Sequence, residues 1–465
     1  MSSNATTFDL NEELKWFFKN IDDMFLITNA IIISFMQAGF ACLEAGCVNS
    51  KNVTNIIMKN TLDMFLCGFW YWIVGYSFAY SPGNSFLGYS WWAGFNLPDS
   101  TMAHWFFQFI FAATAATIIS GAVAERCNFV AYIVYSTIIS GIVYPIATHW
   151  AWTQEGWLFN LGFRDFAGSG IVHLLAGTCS FVGAFFMGPR IGRFENGRIV
   201  DKPGHSIPLV GIGGLLLISG FLAFNGGSIG HISIPGDGDI VARCVTNTII
   251  AGSGAAIVIL FLCKSGIVGA PSWAFTITLN ATLAGIVSVC AGADVFTTVG
   301  SLLSGIGACF IFVGIRYFVF FLKVDDPLDA VAVHFGGGFW GLISRPLFRR
   351  EGLMYGGGNP AGLELVNNLI GLVAIVAWAA GTSILLFGSL KLIGKLRVKE
   401  EDELEGLDIS KHKEPAYPEQ GWHNTHAIYG DHNRTSLDKG SNFYGSRSTM
   451  ALDNMGLELD GKYTR

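Results

Sequence analysis

The sequence predicts an all-α polytopic membrane protein with about eleven transmembrane helices, and three observations lead to that prediction. Of the 465 residues, 51% are hydrophobic and only 13% are charged, far less charge than an ordinary soluble chain has. Uncharged stretches such as 103–124 and 207–227 approach the roughly 20 apolar residues that a helix needs to cross a bilayer. Basic residues gather in alternate loops, which is typical of a multi-pass protein.

The individual spans follow from apolar runs that end at polar, glycine or proline breakers. Their predicted bounds are 24–48, 62–80, 103–123, 129–150, 168–188, 207–227, 241–263, 270–290, 294–314, 329–347 and 364–390. Only the segment CAGADV separates the eighth span from the ninth. Merging those two spans would reverse the direction of every later one.

The basic residues orient these spans. One set of loops, with the end of the last span, contains Lys51, Lys59, Arg126, Arg190, Arg193, Arg198, Lys202, Lys264, Arg316, Lys323, Lys391, Lys395, Arg397 and Lys399. The opposite loops contain fewer, namely Arg164, Arg243, Arg345, Arg349 and Arg350. Because lysine and arginine favour the cytoplasmic side, we expect the N-terminus outside and the C-terminus inside.

Composition divides the chain into three parts. Residues 1–22 are acidic and polar and lack the pattern of a signal peptide, so we expect an extracellular segment. Within it, Asn4 opens an N-x-T sequon for glycosylation. Residues 23–390 contain the spans. Residues 391–465 are polar and charged, and we expect a cytoplasmic regulatory tail that is disordered after about 420.

Several kinds of chemistry find no support in the sequence. All nine cysteines lie within or beside apolar segments and none forms a CxxC pair, so they are expected to be small buried hydrophobic residues. The sequence has no P-loop, dinucleotide fingerprint, zinc motif or nucleophile elbow. We therefore expect no enzyme activity, no cofactor, no metal and no nucleic-acid partner.

An acid precedes a histidine by eight residues twice, at the start of the fifth and the tenth predicted span. The two copies are Asp165-FAGSGIV-His173 and Asp326-PLDAVAV-His334. Five spans separate them, an odd number, so the second copy would enter the membrane in the opposite direction. This pattern indicates an inverted five-helix repeat, which brings equivalent residues together near the bilayer midplane.

Each acid is expected to cap the N-terminus of its helix, where the macrodipole favours a carboxylate. We expect the same structural role for Asp329. Histidines inside a membrane need partners, and His173 and His334 can serve each other, with one ring donating and the other accepting. A lone histidine in an apolar span is usually a packing residue, but a repeated pair favours a functional site. A haem or metal protein with these two axial ligands stays an alternative.

The stretch DFAGSGIVHLLAGTCSFVGAFFMGPR closely resembles the signature of the ammonium transporter (Amt/Mep) family, in its plant-like branch. The motifs GAVAERCNF, YPIATHWAW, FNGGS and DDPLDAVAVH occur in that family's order. The resemblance implies a homotrimer of eleven-helix subunits in the plasma membrane, each with its own pore. The implied substrates are ammonium or ammonia, and methylammonium.

The resemblance also implies roles for particular residues. It assigns the pore histidines to His173 and His334, and two stacked gate phenylalanines to Phe111 and Phe224. An outer recruitment site falls on Trp152, Ser228 and Phe111.

Two positions near that outer site depart from a simple correspondence. Trp150 is an alternative to Trp152, because it lies two residues earlier in the same loop. Phe221 stands where many relatives have a tryptophan.

In the tail, Ser410 stands where this branch has a hydroxyl residue that a kinase phosphorylates, and added phosphate there is expected to close the pore.

These residue types suit a mechanism in which ammonium loses a proton before it crosses. An aromatic face attracts a cation by about 0.5–2 kcal/mol, whereas carrying a bare charge through an apolar constriction costs far more than carrying neutral ammonia. Two further functions stay open: an ammonium sensor that signals through its tail with little flux, and a Rhesus-type gas channel. Whether a proton accompanies the ammonia is also open.

Overall fold

The computed structural model describes residues 10–418, and helices make up nearly all of its regular structure. The α-helices are α1 (Leu10–Cys47), α2 (Val53–Trp70), α3 (Tyr76–Tyr80), α4 (Met102–Ala122), α5 (Phe129–Ile138), α6 (Tyr144–Trp152), α7 (Trp157–Leu161), α8 (Leu175–Met187), α9 (Ile207–Gly227), α10 (Asp237–Lys264), α11 (Phe275–Val289), α12 (Thr298–Phe321), α13 (Gly337–Phe348), α14 (Gly358–Leu392) and α15 (Glu400–Glu405). Two short strands, β1 (Phe194–Glu195) and β2 (Arg198–Ile199), form an antiparallel ribbon.

Wider π-helical turns interrupt or extend several of these helices. They are Tyr71–Gly75, Ile139–Val143, Ser169–Leu174, Val331–Gly336 and Asp408–His412. The first four continue directly into an α-helix, so α2 with α3, and α5 with α6, each form one long helical stretch.

Eight helical stretches in the described residues are long and apolar enough to cross a membrane. They are Leu10–Cys47, Asp99–Ala122, Phe129–Leu161, Ser169–Met187, Ile207–Gly227, Asp237–Lys264, Thr298–Phe321 and Gly358–Leu392. The remaining predicted spans coincide with α2 and α3, with the shorter α11, and with α13 and the turn before it. The prediction of a multi-pass helical membrane protein is confirmed, whereas the count of eleven spans stays a prediction.

The first helix is longer than its predicted span because it begins at Leu10. Its first turns carry the sequence LNEELKWFFKNIDD, in which Lys19 and Asp23 form an ion pair one helical turn apart. Such i,i+4 pairs favour the helical conformation of a polar segment. Part of the predicted N-terminal segment is therefore helical.

The eighth and ninth predicted spans are separate helices. α11 ends at Val289 and α12 begins at Thr298. The Thr297 hydroxyl accepts a hydrogen bond from the Gly300 amide at 2.9 Å, which caps the first turn of α12.

The first part of the tail folds back onto the helices. The Asn55 amide donates a hydrogen bond to the Asp408 carboxylate at 2.9 Å. The Leu407 amide donates to the Asn52 side chain, also at 2.9 Å. The turn that contains Ser410 therefore lies against the loop between α1 and α2.

Candidate functional site

His173 and His334 meet in the interior of the helical bundle. Their Nδ1 atoms are 3.2 Å apart, and their ring planes lie within 14° of each other with centroids 5.2 Å apart. Both side chains are buried. One Nδ1 can donate while the other accepts, so each ring satisfies the other at the point of contact. The juxtaposition expected from the repeated motif is present.

Both histidines lie on π-helical turns, Ser169–Leu174 and Val331–Gly336. Wide turns of this kind occur frequently at functional sites. Two glycines bring the turns together: a Cβ on Gly177 would lie 2.2 Å from the Phe335 amide nitrogen, and a Cβ on Gly338 would lie 2.3 Å from the Ser169 carbonyl oxygen. Any larger side chain at either glycine would push the turns apart.

The acids of the two motifs, Asp165 and Asp326, both accept hydrogen bonds from backbone amides at the start of a histidine turn, but from different numbers of amides. Asp165 Oδ2 accepts hydrogen bonds from the amides of Gly170 and Ile171, each at 2.9 Å. Asp326 Oδ2 accepts one from the Val331 amide at 2.7 Å. Both contacts have the geometry of a cap. Asp329, for which a cap was also expected, instead forms an ion pair with Arg316 at 3.0 Å.

Phe111 and Phe224 lie next to the histidine pair. Their rings stack with centroids 4.1 Å apart and planes at 16°, and the Phe224 ring lies 5.7 Å from the ring of His173. Both phenylalanines are fully buried. Their stacking leaves no open passage between the rings.

A cavity of about 260 Å³ opens on the other side of Phe111. Its lining includes Phe107, Phe111, Trp152 and Ser228, so the structure brings together the residues implied for the outer site. The ring of Trp152 meets that of Phe111 edge to face at 6.1 Å. The Ser228 hydroxyl donates to the Phe224 carbonyl at 2.7 Å, which leaves its oxygen able to accept a proton donor from the cavity.

The same lining contains two polar residues that sequence reasoning missed, His104 and Gln108. His104 accepts or donates a hydrogen bond at 2.9 Å with the hydroxyl of Tyr76. Gln108 Oε1 is buried without a hydrogen-bond partner among the described residues. The signal that could have found Gln108 is a polar residue three positions before Phe111 in an apolar span.

The alternative residue Trp150 lies elsewhere. Its indole packs against Trp157 and Trp378, and its Nε1 donates to the Phe86 carbonyl at 2.8 Å. Phe221 also lies away from the outer cavity, with its ring 5.5 Å from that of His173.

On the side of the histidine pair away from Phe111, a narrow cavity of about 30 Å³ is lined by Glu44, Phe221, Asn280 and His334, among others. That volume suffices for about one or two molecules of the size of water, and ammonia is of similar size. A wider cavity of about 300 Å³ shares Asn280 in its lining. The outer cavity, the stacked rings, the histidine pair and these two cavities thus follow one another through the bundle.

A buried ion cluster lies outside the membrane-spanning segments, beside the inner cavities. Arg190 forms an ion pair with Asp325 at 2.7 Å and a second with Glu125, and Arg193 lies 3.3 Å from Asp325. Burial alone would raise the pKa of Asp325, but the hydrogen bonds and positive charge of the arginines outweigh it and lower that pKa to about 2. This cluster joins three loops.

A further predicted residue, Ser410, lies in the tail and lines none of these cavities. Ser410 is half-buried in the turn Asp408–His412, and its hydroxyl has no hydrogen-bond partner in the described part of the chain. Asn4 lies outside the described residues. The direct contact between the two Nδ1 atoms leaves no space for a haem plane between His173 and His334, which disfavours the haem alternative.

The fold and this central site define a multi-pass helical membrane protein with a buried histidine pair between an aromatic-lined cavity and a narrow one. Residues 24–417 match the model of the Ammonium Transporter Family. The chain belongs to that family, which is one of transporters.

Relatives from animals and plants agree with this assignment. Putative ammonium transporter 1 of Caenorhabditis elegans is 44% identical over 443 residues, which cover 88% of this chain and 81% of the relative. Ammonium transporter 1 member 3 of Solanum lycopersicum is 36% identical over 448 residues, which cover 89% and 97%. Family membership and these relatives support transport of ammonium.

Two solved structures resemble this chain. A structure titled Sensor Amt Protein is 30% identical with a TM-score of 0.79, and the match covers 85% of this chain and 99% of that one. Mep2 of Candida albicans is 23% identical with a TM-score of 0.75, covering 85% and 89%. At that identity, Mep2 supports the fold alone.

Proposed function

We propose that this protein recruits ammonium at the outer aromatic cavity, removes one proton and passes ammonia along His173 and His334 to the cytoplasm. The observation that carries this proposal is the 3.2 Å contact between the two histidines, because it lies between an outer cavity closed by Phe111 and Phe224 and a narrow inner cavity. Paired imidazoles at that position have no evident purpose in packing.

The outer cavity suits a small cation. Phe111, Phe107 and Trp152 offer aromatic faces and edges around a volume of about 260 Å³, and desolvated cation–π contacts are worth about 2 kcal/mol or more. Ser228 supplies an oxygen that accepts an N–H donor. Ammonium, with four N–H groups, satisfies both kinds of contact at once.

Deprotonation at the stacked phenylalanines explains how a charged substrate could use an apolar route. Burying an unpaired ion costs far more than burying a neutral polar molecule, so ammonia crosses where ammonium does not. Potassium has no proton to lose and is therefore excluded by its chemistry. Net movement of the proton would make transport electrogenic.

The histidine pair would stabilise ammonia in the apolar lumen by offering one acceptor and one donor. Its chain of hydrogen-bonding nitrogens could also carry the released proton. In this proposal His173 faces the stacked rings and His334 faces the inner cavity, as their ring contacts and cavity lining suggest.

The architecture proposed here is eleven transmembrane helices with an inverted five-helix repeat, an external N-terminus and a cytoplasmic C-terminus. The paired π-helical turns and the paired acids support the repeat, since each copy has an acid that caps the turn carrying its histidine. We further propose a homotrimer in the plasma membrane, with residues 23–390 as the transport domain and 391–465 as the regulatory tail.

Regulation through the tail forms part of the proposal. A kinase would act on Ser410, whose turn packs against the loop between α1 and α2. Added phosphate would bring negative charge next to Asp408 and weaken this docking. Glycosylation at Asn4 would be consistent with an external N-terminus.

A sensor with little flux is the second candidate function. The observation in its favour is the likeness to a structure titled Sensor Amt Protein, at 30% identity. A Rhesus-type gas channel is the third, and Ser228 with the aromatic outer cavity favours ammonium over a neutral gas as the recruited species.

The test is uptake of isotope-labelled methylammonium together with ammonium-induced current in oocytes that express the full chain. Saturable uptake above that of water-injected cells, with inward current, is the expected result. Uptake without current would support passage of neutral ammonia. Surface-expressed protein that gives neither would overturn the transport proposal in favour of the sensor.

A further inference from the structure

A cluster of buried ionisable side chains has no part in the mechanism described so far. Glu44 on α1 is 1% exposed, and Lys59 and Asp63 on α2 are fully buried. Buried carboxylates and ammonium groups are costly inside a membrane and tend to have a function there. These three residues therefore need an explanation that packing does not give.

Glu44 connects this cluster to the inner cavity. It lines the same volume of about 30 Å³ as His334 and Phe221, and it is the carboxylate in that lining. A molecule that leaves the histidine pair towards the inside thus enters a space bounded by an imidazole and a carboxyl group.

The two carboxylates of the cluster differ in their surroundings. Asp63 is encircled by hydroxyl donors, with Ser136 at 2.7 Å, Tyr132 at 2.9 Å and Thr117 at 3.0 Å. These donors replace the water that an ionised carboxylate needs. Asp63 is therefore the member of the cluster best suited to stay charged.

The carboxyl group of Glu44 has fewer hydrogen-bonding neighbours than that of Asp63. Ser120 donates a hydrogen bond to its Oε2 at 2.9 Å, and Asn60 adds a further side-chain contact. Lys59 and Asp63 are the neighbouring titratable groups whose charges act on the Glu44 carboxyl group. Cys47 is near enough for the charge of Glu44 to act on its thiol.

The charges of the cluster do not balance when every group is ionised. Two carboxylates and one ammonium leave one net negative charge in a space without bulk water. Burial of an uncompensated charge is unfavourable, so the cluster gains stability when it binds one proton. Glu44, which faces the cavity, is the group that can receive that proton.

We propose that Glu44 is a further proton-transfer residue of the pore, which accepts the proton leaving His334 and releases it towards the cytoplasm. In the accepting step an N–H bond of the imidazolium breaks and an O–H bond forms on the Glu44 carboxylate. In the releasing step that O–H bond breaks and the proton passes to water. Lys59 and Asp63 act on Glu44 through their charges, in opposite directions.

This inference rests on the proposed function, so its test measures uptake and charge in the same cells. The full chain is expressed in oocytes as wild type, Glu44→Gln and Glu44→Asp, and the charge moved per methylammonium taken up is measured with surface labelling of each variant. Glutamine keeps the shape of the side chain and cannot carry a proton. We expect the charge-to-uptake ratio of Glu44→Gln to fall by about tenfold or more, whatever its rate of uptake, since positioned proton-transfer groups contribute about 10²–10⁴-fold.

Glu44→Asp keeps a carboxyl group and is expected to give an intermediate ratio, which a purely structural role would not produce. It also serves as the deciding variant if Glu44→Gln fails to reach the surface. A ratio equal to that of wild type in every variant that reaches the surface would overturn the role of Glu44 and leave the transport proposal intact. Wild-type uptake without current would overturn it as well, whereas absence of wild-type uptake would overturn the transport proposal itself.

Discussion

The ring of Phe224 stacks on Phe111 at a centroid distance of 4.1 Å and lies 5.7 Å from the ring of His173. The Phe224 ring thus lies next to both Phe111, with which it closes the outer cavity, and His173. The stacked pair therefore lies between the outer cavity, which Phe111 lines, and His173. Loss of a proton at this position is therefore the step on which selectivity depends in our account.

Replacing Phe224 with alanine tests this closure. The smaller side chain opens a passage that water can fill, so hydrated ions gain access to the pore. We expect the ratio of potassium current to ammonium current to rise roughly tenfold, which corresponds to about 1.4 kcal/mol. Phe185→Ala is the matched control, since that ring is 60% exposed on the outside of the bundle, and its current ratio should equal that of wild type. Unaltered selectivity in Phe224→Ala would argue against a gate at this ring.

Asp165→Asn tests the support of the first histidine turn. Asparagine keeps one acceptor oxygen, whereas Asp165 uses both oxygens on the amides of Gly168, Gly170 and Ile171. We expect a loss of about 1–3 kcal/mol in stability, seen as a lower midpoint of thermal unfolding in detergent. Asp239→Asn removes an exposed acid from the first turn of α10 and should change stability by less than about 0.5 kcal/mol. Equal midpoints for the two variants would refute this role.

The ion pair between Arg190 and Asp325 predicts a dependence of stability on pH. Because the pKa of Asp325 is lowered to about 2 from its ordinary value of 3.8, its contribution is complete above about pH 4 and is lost as pH falls towards about 2. Asp325→Asn should remove this contribution and cost about 3–5 kcal/mol at neutral pH, since it leaves buried guanidinium groups without their partner.

The matched control for Asp325 is Asp201, whose side chain is 99% exposed and lies 3.7 Å from Arg193. Exposed ion pairs contribute about 0–1 kcal/mol, so Asp201→Asn should unfold like wild type. The check is the midpoint of thermal unfolding, measured across the acid range for purified wild type, Asp325→Asn and Asp201→Asn. If Asp325→Asn lost stability with acid as steeply as wild type does, the assignment to Asp325 would be wrong.

Ser410→Asp tests regulation by the tail. A negative charge in the turn Asp408–His412 would repel Asp408, which accepts the Asn55 amide. We expect methylammonium uptake per surface-expressed molecule to fall by about tenfold, the equivalent of about 1.4 kcal/mol of docking energy. Ser410→Ala adds no charge and should transport at the wild-type rate. Similar uptake by both variants would mean that the charge at this position has no regulatory effect.

The sequence predicted the parts of the site that depend on a repeated pattern. The spacing of acid and histidine pointed to His173 and His334 meeting, because an inverted repeat relates equivalent residues. Composition predicted the membrane-spanning helices, since apolar length is a local property. The residue Phe111 could be singled out only through the family resemblance, as a phenylalanine in an apolar span has no distinguishing local signal.

Other features needed three-dimensional contacts. The close approach of the two histidine turns at Gly177 and Gly338 is a contact between distant segments, which no periodicity reports. The cluster of Glu44, Lys59 and Asp63 was missed because Glu44 and Asp63 belong to two different predicted spans, while Lys59 was expected in a loop and instead lies buried on α2. The start of α1 at Leu10 was missed because hydropathy finds membrane-spanning segments and not the polar turns that extend them.

The most direct test of the central claim is the ammonium-induced current of His173→Ala in oocytes, normalised to surface protein. We expect a fall of about 10²-fold or more, because the alanine removes one half of the hydrogen-bonding pair through which ammonia and its proton would pass. His231→Ala is the matched histidine control, since that side chain is 40% exposed and is not among the residues that line the cavities described above, and it should carry wild-type current. Wild-type current in surface-expressed His173→Ala would contradict a conduction path through the histidine pair.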